Sequence, residues 1–309
     1  LYFDKPFIER PGINPKLFPT NKSENFVINC HGLGGNKLHS ALITSNIIDL
    51  NCLEAGAQCF PLYYYEEINQ QQKDLFEANK GQKYIRRDGI SDFILGRAKQ
   101  QYGKSVGKED IFYYVYGFLH SKEYRETFAN DLKKMLPRLP LVEDVKDFWA
   151  FSKAGRQLAE LHLNYESVPP YPGIVVLYNT IPKEEVELGL SGKPIEVINY
   201  RVQKMRFPKK DQKESILYNN QITIDKIPAK AYEYVVNGKS AVEWIMERYQ
   251  IKTHKESGIT NDPNDWAMEV GNPRYILDLL LSVINVSVQT VDIVNNLPKV
   301  NFGTEADND

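Results

Sequence analysis

The sequence has little of what marks a secreted, metal-binding or membrane protein. Its only cysteines, Cys30, Cys52 and Cys59, are odd in number and have neither Cys-x-x-Cys spacing nor a neighbouring histidine pair, which argues against a disulfide framework or a structural zinc site. No apolar run approaches the roughly 20 residues that a membrane span needs, and no signal peptide opens the chain. We therefore expect a protein of the reducing cytoplasm with no membrane partner.

An excess of charge of one sign is also missing. The chain has 38 Lys and Arg residues against 40 Asp and Glu residues, so no global field marks it as a nucleic-acid binder. Any affinity for DNA has to come from local clusters. At 309 residues the chain is long enough for one large or two modest domains. Because Leu1 is not an initiator methionine, we expect it to be a piece of a longer polypeptide.

Complete catalytic motifs are absent too. The stretch 32–37 (GLGGNK) lacks the spacing of a phosphate loop, and Lys37 is followed by Leu38 instead of Ser or Thr. We interpret it as a turn. Two alternatives stay open: its amides and Lys37 could contact a DNA phosphate, or it could hold a nucleotide. The stretches 168–171 (VPPY) and 272–275 (NPRY) each miss one residue of the adenine methyltransferase motif, so we predict no catalytic residue.

The centre of the chain has the three-and-four spacing of a helix with one broad apolar face, carried by Ile111, Tyr114, Val115, Phe118 and Leu119. Ser121 is predicted to cap a second helix that ends at Pro137, and Ser152 a third that ends before Val168. Near the C-terminus, Ser240 and Glu243 have the form of a capping box. The last helix is predicted from Asn272 to about residue 294.

Strand-like runs lie on both sides of this helical centre. Residues 25–30, 41–44 and 58–65 are short apolar runs, and a polar linker is predicted over 66–83. Residues 195–207 and 215–224 alternate and are separated by a charged loop, which predicts a hairpin. The chain is therefore predicted to be α+β, with a strand-rich N-terminal unit, a central helical bundle, a β-hairpin region and C-terminal helices.

Clusters of cations within these elements are the candidate DNA contacts. Before the helical centre lie Arg86, Arg87 and Lys104, for which the alternative is a solvated helical face. In the predicted hairpin lie Arg201, Gln203, Lys204, Arg206, Lys209 and Lys210, for which the alternative is an ordinary solvated hairpin. Arg and Gln can bond to guanine and adenine edges, whereas Lys chiefly neutralises phosphate. Strand geometry would place Arg201 and Gln203 on one face and Lys204 and Arg206 on the other.

Several longer runs are shared with a known family: 40–44 (SALIT), 59–66 (CFPLYYYE), 109–117 (EDIFYYVYG), 123–125 (EYR), 129–134 (ANDLKK), 148–151 (FWAF), 161–166 (LHLNYE), 204–208 (KMRFP), 231–241 (AYEYVVNGKSA) and 261–265 (NDPND). With these runs the chain resembles the C-terminal part of the type ISP restriction-modification enzymes. Those enzymes join a nuclease, an ATP-driven translocase, an adenine methyltransferase and a target recognition domain in one polypeptide. The likeness covers nearly the whole chain.

The resemblance implies that residues 1–75 end the methyltransferase and begin the recognition domain, which 76–309 complete. The implied function is sequence-specific recognition of duplex DNA in prokaryotic defence. The partners would be DNA and the upstream methyltransferase and translocase. The chain itself would hold no cofactor or metal, and S-adenosylmethionine, ATP and Mg would bind elsewhere in the parent enzyme. The residues alone leave two alternatives, a nucleotide-binding enzyme using the 32–37 loop and a protein-interaction scaffold that does not contact DNA.

Overall fold

The chain folds into two compact units. Unit 1 comprises Leu1–Leu163 and Ile293–Asp309, and unit 2 comprises Asn164–Asp292. The computed structural model describes residues 14–20, 22–49, 51–54, 56–68, 83–179, 187–188, 194–195, 198–300 and 302. Most of the predicted polar linker lies outside these residues. The predicted domain boundary near residue 75 concerns the handover from methyltransferase to recognition domain, and it stays a prediction.

Helices and small antiparallel sheets alternate along both units. The helices are α1 Asn14–Leu17, α2 Asp92–Tyr102, α3 Lys108–Leu119, α4 Lys122–Thr127, α5 Val145–Leu163, α6 Ala241–Arg248, α7 Asn264–Glu269 and α8 Tyr275–Asn295. The strands are β1 Val27–Cys30, β2 Ala41–Thr44, β3 Gln58–Pro61, β4 Tyr63–Glu67, β5 Tyr84–Asp88, β6 Val175–Tyr178, β7 Glu187–Leu188, β8 Pro194–Ile195, β9 Ile216–Leu217, β10 Ile222–Asp225, β11 Val235–Val236, β12 Lys239–Ser240, β13 Lys252–Thr253 and β14 Thr260–Asn261. The predicted α+β class is confirmed.

Unit 1 is built around helices α3 and α5, which pack along each other and against strand β2 of the sheet β2-β1-β3. Aromatic rings fill the space between the helices: the ring of Phe148 stacks on those of Tyr102 and Tyr114, with centroid distances of 4.2 and 5.0 Å. At the closest approach Gly117 on α3 faces Gly155 on α5, because neither backbone leaves room for a side chain. The predicted apolar face of α3 is therefore the centre of this core.

Of two helix starts predicted in unit 1, the structure confirms one and contradicts the other. Ser121 caps α4 as predicted, because its Oγ accepts a hydrogen bond from the Tyr124 amide at 3.3 Å. That helix ends at Thr127, well before Pro137. The prediction for Ser152 was wrong: it lies inside α5, and its hydroxyl donates to the Asp110 carbonyl at 2.9 Å. The side chain of Asp144 instead accepts a hydrogen bond, from the Lys146 amide, just before α5 begins.

Unit 2 packs helix α8 against the sheet β6-β10-β9, with Ile216, Ile222, Ile224 and Leu280 fully buried. The capping box is confirmed, since Ser240 Oγ accepts from the Glu243 amide and the Ser240 amide donates to the Glu243 carboxylate. The predicted C-terminal helix begins at Tyr275, three residues later than expected.

Helix α8 corrects one expectation. It is long and apolar enough to cross a membrane, although no run of that kind was expected. In the structure 78% of its most apolar window is buried inside the protein. Burial of that extent is typical of a helix that forms the core of a unit.

Candidate nucleic-acid interface

Residues 199–206 carry four of the ten predicted DNA contacts, and they form a loop instead of a strand. Among the described residues their one ladder contact is a bridge in which the Arg206 and Leu217 backbones exchange hydrogen bonds of 3.1 and 2.8 Å. Apart from that bridge, the predicted hairpin between 195–207 and 215–224 was wrong. Strand β10 pairs with β6 on one side and β9 on the other, and among the described residues the segment meets the outer edge of β9 only at Arg206.

The loop also departs from the predicted alternation of faces. Val202 and Met205, three residues apart, are buried in the core of unit 2, with 0% and 3% of their surface exposed. Arg201, Gln203, Lys204 and Arg206 are all exposed. The expectation that Arg201 and Gln203 lie opposite Lys204 and Arg206 was therefore wrong, since only regular strand backbone alternates its side chains. The loop presents all four to solvent.

Side chains from other elements satisfy the backbone of this loop. The Asn264 side chain acts as a strand partner for Val202: its Oδ1 accepts from the Val202 amide and its Nδ2 donates to the Val202 carbonyl, both at 2.8 Å. Asn264 is itself buried, with 3% of its surface exposed. Buried backbone polar groups need such partners, because leaving one unpaired costs about 1–3 kcal/mol.

The start of the loop is anchored from the turn between β9 and β10. Asn219 Nδ2 donates to the Asn199 and Arg201 carbonyls at 2.7 and 3.0 Å. Gln221 Oε1 accepts from the Asn199 amide at 2.8 Å, and the Tyr218 hydroxyl donates to the Tyr200 carbonyl at 2.9 Å. These bonds hold the backbone in one conformation without the ladder of a sheet.

Arg201 is the only one of the four exposed side chains that forms an ion pair among the described residues. Its Nη2 lies 2.6 Å from Asp262 Oδ2. Burial by itself would raise the pKa of the Asp262 carboxyl, but hydrogen bonds from Asn264 and the charge of Arg201 outweigh burial and lower that pKa. Asp262 is therefore charged at neutral pH and holds one edge of the guanidinium.

Further cations lie close to this loop in the chain or in space. Lys209 and Lys210 are exposed in the turn that follows it. The Ile251 amide donates to the Gln203 carbonyl at 2.9 Å, which places the start of the hairpin β13-β14 beside the loop. That hairpin carries the exposed Lys252 and Lys255, which sequence reasoning missed. No local signal could have found them, since their proximity comes from the fold.

The other predicted contacts belong to unit 1. The Arg86 guanidinium lies over the Tyr63 ring, 4.3 Å from its centroid, and Arg87 pairs with Glu66 at 3.1 Å. Lys104 is exposed after α2 and has no ion-pair partner in the part of the chain that the structure describes. Lys37 is exposed as well. The role of all of these residues in DNA binding stays a prediction.

Backbone amides of the 32–37 loop donate hydrogen bonds to other groups of the protein. The amides of Asn36 and Lys37 donate to Glu54 Oε2 at 2.9 and 2.7 Å. The Gly34 amide donates to the Lys133 carbonyl at 2.8 Å. The bond from the Lys37 amide is the largest cause of the lowered pKa of Glu54. A carboxylate of the protein thus accepts the hydrogen bonds that a phosphate would need, which argues against a nucleotide site here.

The family model described as the Type ISP C-terminal specificity domain matches residues 1–279. Comparison with curated proteins gave no match. The solved structure of the ATP-dependent Type ISP restriction-modification enzyme LlaBIII bound to DNA is 37% identical, with a TM-score of 0.78 over 97% of this chain and 18% of that one.

Two further solved structures are similar. A nuclease-deletion mutant of the Type ISP enzyme LlaGI, in complex with a DNA substrate mimic, is 38% identical, with a TM-score of 0.70 over 93% of this chain and 19% of that one. A DrdV–DNA complex is 30% identical, with a TM-score of 0.73 over 93% of this chain and 26% of that one. The chain thus spans about a fifth of the length of the two Type ISP enzymes.

Proposed function

Since this chain belongs to the Type ISP C-terminal specificity domain family, we propose that it recognises a specific sequence in duplex DNA. In this proposal its chemistry is binding alone. A longer cytoplasmic polypeptide supplies the adenine methyltransferase and the ATP-driven translocase, and S-adenosylmethionine, ATP and Mg bind there. The DNA complexes of similar proteins that share 30–38% of the sequence support DNA as the partner.

The 199–206 loop is the structural feature that best supports this proposal, because other elements hold its backbone while its polar side chains stay exposed. Recognition of a base edge needs hydrogen-bonding groups at defined positions, and a loop that is ordered before binding loses less entropy on binding. Gln203 and Arg206 can donate to base edges, and Lys204, Lys209 and Lys210 can neutralise phosphates. This division of roles fits a sequence-reading surface better than a solvated turn.

The rival function, a nucleotide-binding enzyme, loses its main support in the 32–37 loop. Glu54 holds two of the amides that a phosphate would require, so a nucleotide would have to displace a charged side chain. The scaffold alternative differs from the proposal in one respect that can be measured, because a scaffold prefers no DNA sequence.

We expect the chain to enrich one short motif when it selects from a random pool of duplexes. On the enriched duplex, the affinity should fall with salt with a log-log slope of about −0.9 for each neutralised phosphate. Both are measured with the full chain, by sequencing the bound fraction and by fluorescence anisotropy at several salt concentrations. Absence of any enriched motif together with a flat salt response would favour the scaffold.

Replacing Gln203 with alanine should relax the preference at one base position, by about 1–3 kcal/mol of discrimination, because a side chain that reads one base edge is lost. Replacing Lys209 with alanine is the matched control from the adjacent turn. It should weaken binding to every duplex alike and reduce the salt slope by about one phosphate. Competition with duplexes that differ at single positions distinguishes the two. If both variants act uniformly, base reading lies outside this loop.

A further inference from the structure

The ion pair between Arg201 and Asp262 is part of a chain of contacts that ends at the backbone of the 199–206 loop. Asp262 Oδ2 accepts from Arg201 Nη2 at 2.6 Å. The other carboxylate oxygen, Oδ1, accepts from the Asn264 amide at 2.9 Å and from the Asn264 Nδ2 at 2.6 Å. Asn264 in turn pairs with both backbone groups of Val202. Two neighbouring residues therefore hold the loop backbone and the head of its first arginine together.

The Asp262 carboxylate is itself well held. Only 17% of its side chain is exposed, compared with 54% for Arg201. An exposed ion pair contributes little when both partners move freely, but here two hydrogen bonds from Asn264 hold the carboxylate independently of the arginine. The orientation of the guanidinium follows from the orientation of the carboxylate.

The guanidinium keeps donors to spare after this pairing. An arginine has five N–H donors in a planar fork, and among the described residues Arg201 uses one edge of the fork, through Nη2, for Asp262. The exposed remainder of the fork can donate to two acceptors at once, which is the arrangement that guanine presents at O6 and N7 in the major groove. A fixed fork can make such a contact without first losing the rotamer freedom of a long side chain.

We propose that Asp262 is a positioning residue that sets base specificity through Arg201, without contacting DNA itself. This inference rests on the proposed function, because it needs the 199–206 loop to face a duplex. It goes beyond that function by naming the arginine that reads guanine and the carboxylate that aligns it. A carboxylate at a DNA interface repels phosphate, so its presence is explained by specificity and not by affinity.

The test is Asp262→Asn in the full chain. The amide keeps the size of the side chain but removes the charge that holds the guanidinium. We expect the discrimination for guanine at one position of the enriched motif to fall about tenfold. Binding to duplexes without the motif should stay unchanged or become tighter, because a negative charge near phosphate is lost. A change that merely damaged the fold would weaken both kinds of binding.

Together with Asp262→Asn, the Arg201→Ala variant and the double variant form a double-mutant cycle. Arg201→Ala should lose preference at the same base position, and adding Asp262→Asn should cost no further discrimination, since the carboxylate acts only through the arginine. The matched control is Asp292→Asn, which removes the partner of Lys230 in an ion pair of 2.7 Å in the same unit. That variant should leave the preference at every position unchanged.

The possible outcomes separate the inference from the function on which it rests. If the unmodified chain enriches no motif, the proposed function fails and this inference fails with it. If the motif is enriched but Asp262→Asn keeps full discrimination, or loses it equally at all positions, only the positioning role is overturned. The same holds if the double variant loses clearly more discrimination than Arg201→Ala.

Discussion

Replacing Gly155 with alanine is expected to destabilise unit 1 by on the order of 3 kcal/mol. A methyl group at this position would overlap the Tyr113 carbonyl oxygen and lie 2.9 Å from the Gly117 amide nitrogen. These atoms are the backbone of α3 and cannot rotate away as a side chain would, so the two helices would have to separate. Separation would loosen the packing of the aromatic core between α3 and α5. Urea unfolding followed by far-ultraviolet circular dichroism measures the loss.

Gly96 provides the matched control for this substitution. It also lies within a helix of unit 1, α2, but it is exposed and a methyl group there meets no atom within 4 Å. Gly96→Ala should therefore raise stability by up to about 1 kcal/mol, because alanine favours the helix and removes backbone freedom from the unfolded chain. Equal stability of the Gly155→Ala protein and the unmodified one would contradict the close packing of α3 on α5.

Acid is expected to destabilise unit 1 through its buried histidines. His39, His120 and His162 are all buried, and the rings of His120 and His162 lie 5.6 Å apart. Burial lowers the pKa of His120 from 6.5 to about 4 and that of His39 from 6.5 to about 3. Burial and the charge of His120 also lower the pKa of His162. At neutral pH these rings are therefore uncharged.

The sign of the effect follows from which state binds protons. Below pH 6.5 the unfolded chain protonates these histidines while the folded chain does not, so the free energy of unfolding falls as the pH falls. Each such histidine contributes about 1.4 kcal/mol per pH unit, until the pH reaches its folded pKa. For His120 this amounts to about 3 kcal/mol by pH 4. Above pH 6.5 these histidines add no pH dependence.

His120→Gln tests this expectation. The variant should be less stable overall, but its free energy of unfolding should fall less steeply between pH 6.5 and about 4 than that of the unmodified chain. The slope is the informative quantity, because a simple packing defect shifts the whole curve without changing its slope. His254→Gln, at an exposed position in unit 2, is the control and should leave the slope unchanged. Identical slopes for all three proteins would exclude the buried histidines as the cause.

The sequence by itself predicted the features that depend on residues close together in the chain. Each of these features depends on residues within one or two helical turns, so the sequence alone shows its pattern. They are the apolar face of α3, the Ser121 cap and the Ser240 capping box. Strand β2 was predicted at residues 41–44 for the same reason. The long shared runs also indicated the Type ISP family, which the family model confirms.

The predictions that failed concern residues whose state depends on distant partners. Ser152 resembles a helix cap, but α3 supplies an acceptor for its hydroxyl at Asp110, 42 positions away. Residues 195–207 have the alternation of a strand, but among the described residues only Arg206 forms a ladder contact, with Leu217 of β9, and the side chains of Asn219 and Asn264 hold the backbone before it. Local propensity is a weak guide wherever such long-range contacts compete with it.

The candidate site shows most clearly the difference between what local sequence predicts and what distant contacts decide. Side-chain chemistry alone predicts possible DNA contacts, and the sequence is enough to show it for Arg201, Gln203, Lys204 and Arg206. The tertiary structure decided that all four side chains are exposed on one anchored loop, because Asp262 and Asn264 hold that loop from 61 and 62 positions away. A hydrogen bond between such distant residues leaves no periodic pattern in the chain, and only folding brings its two partners together.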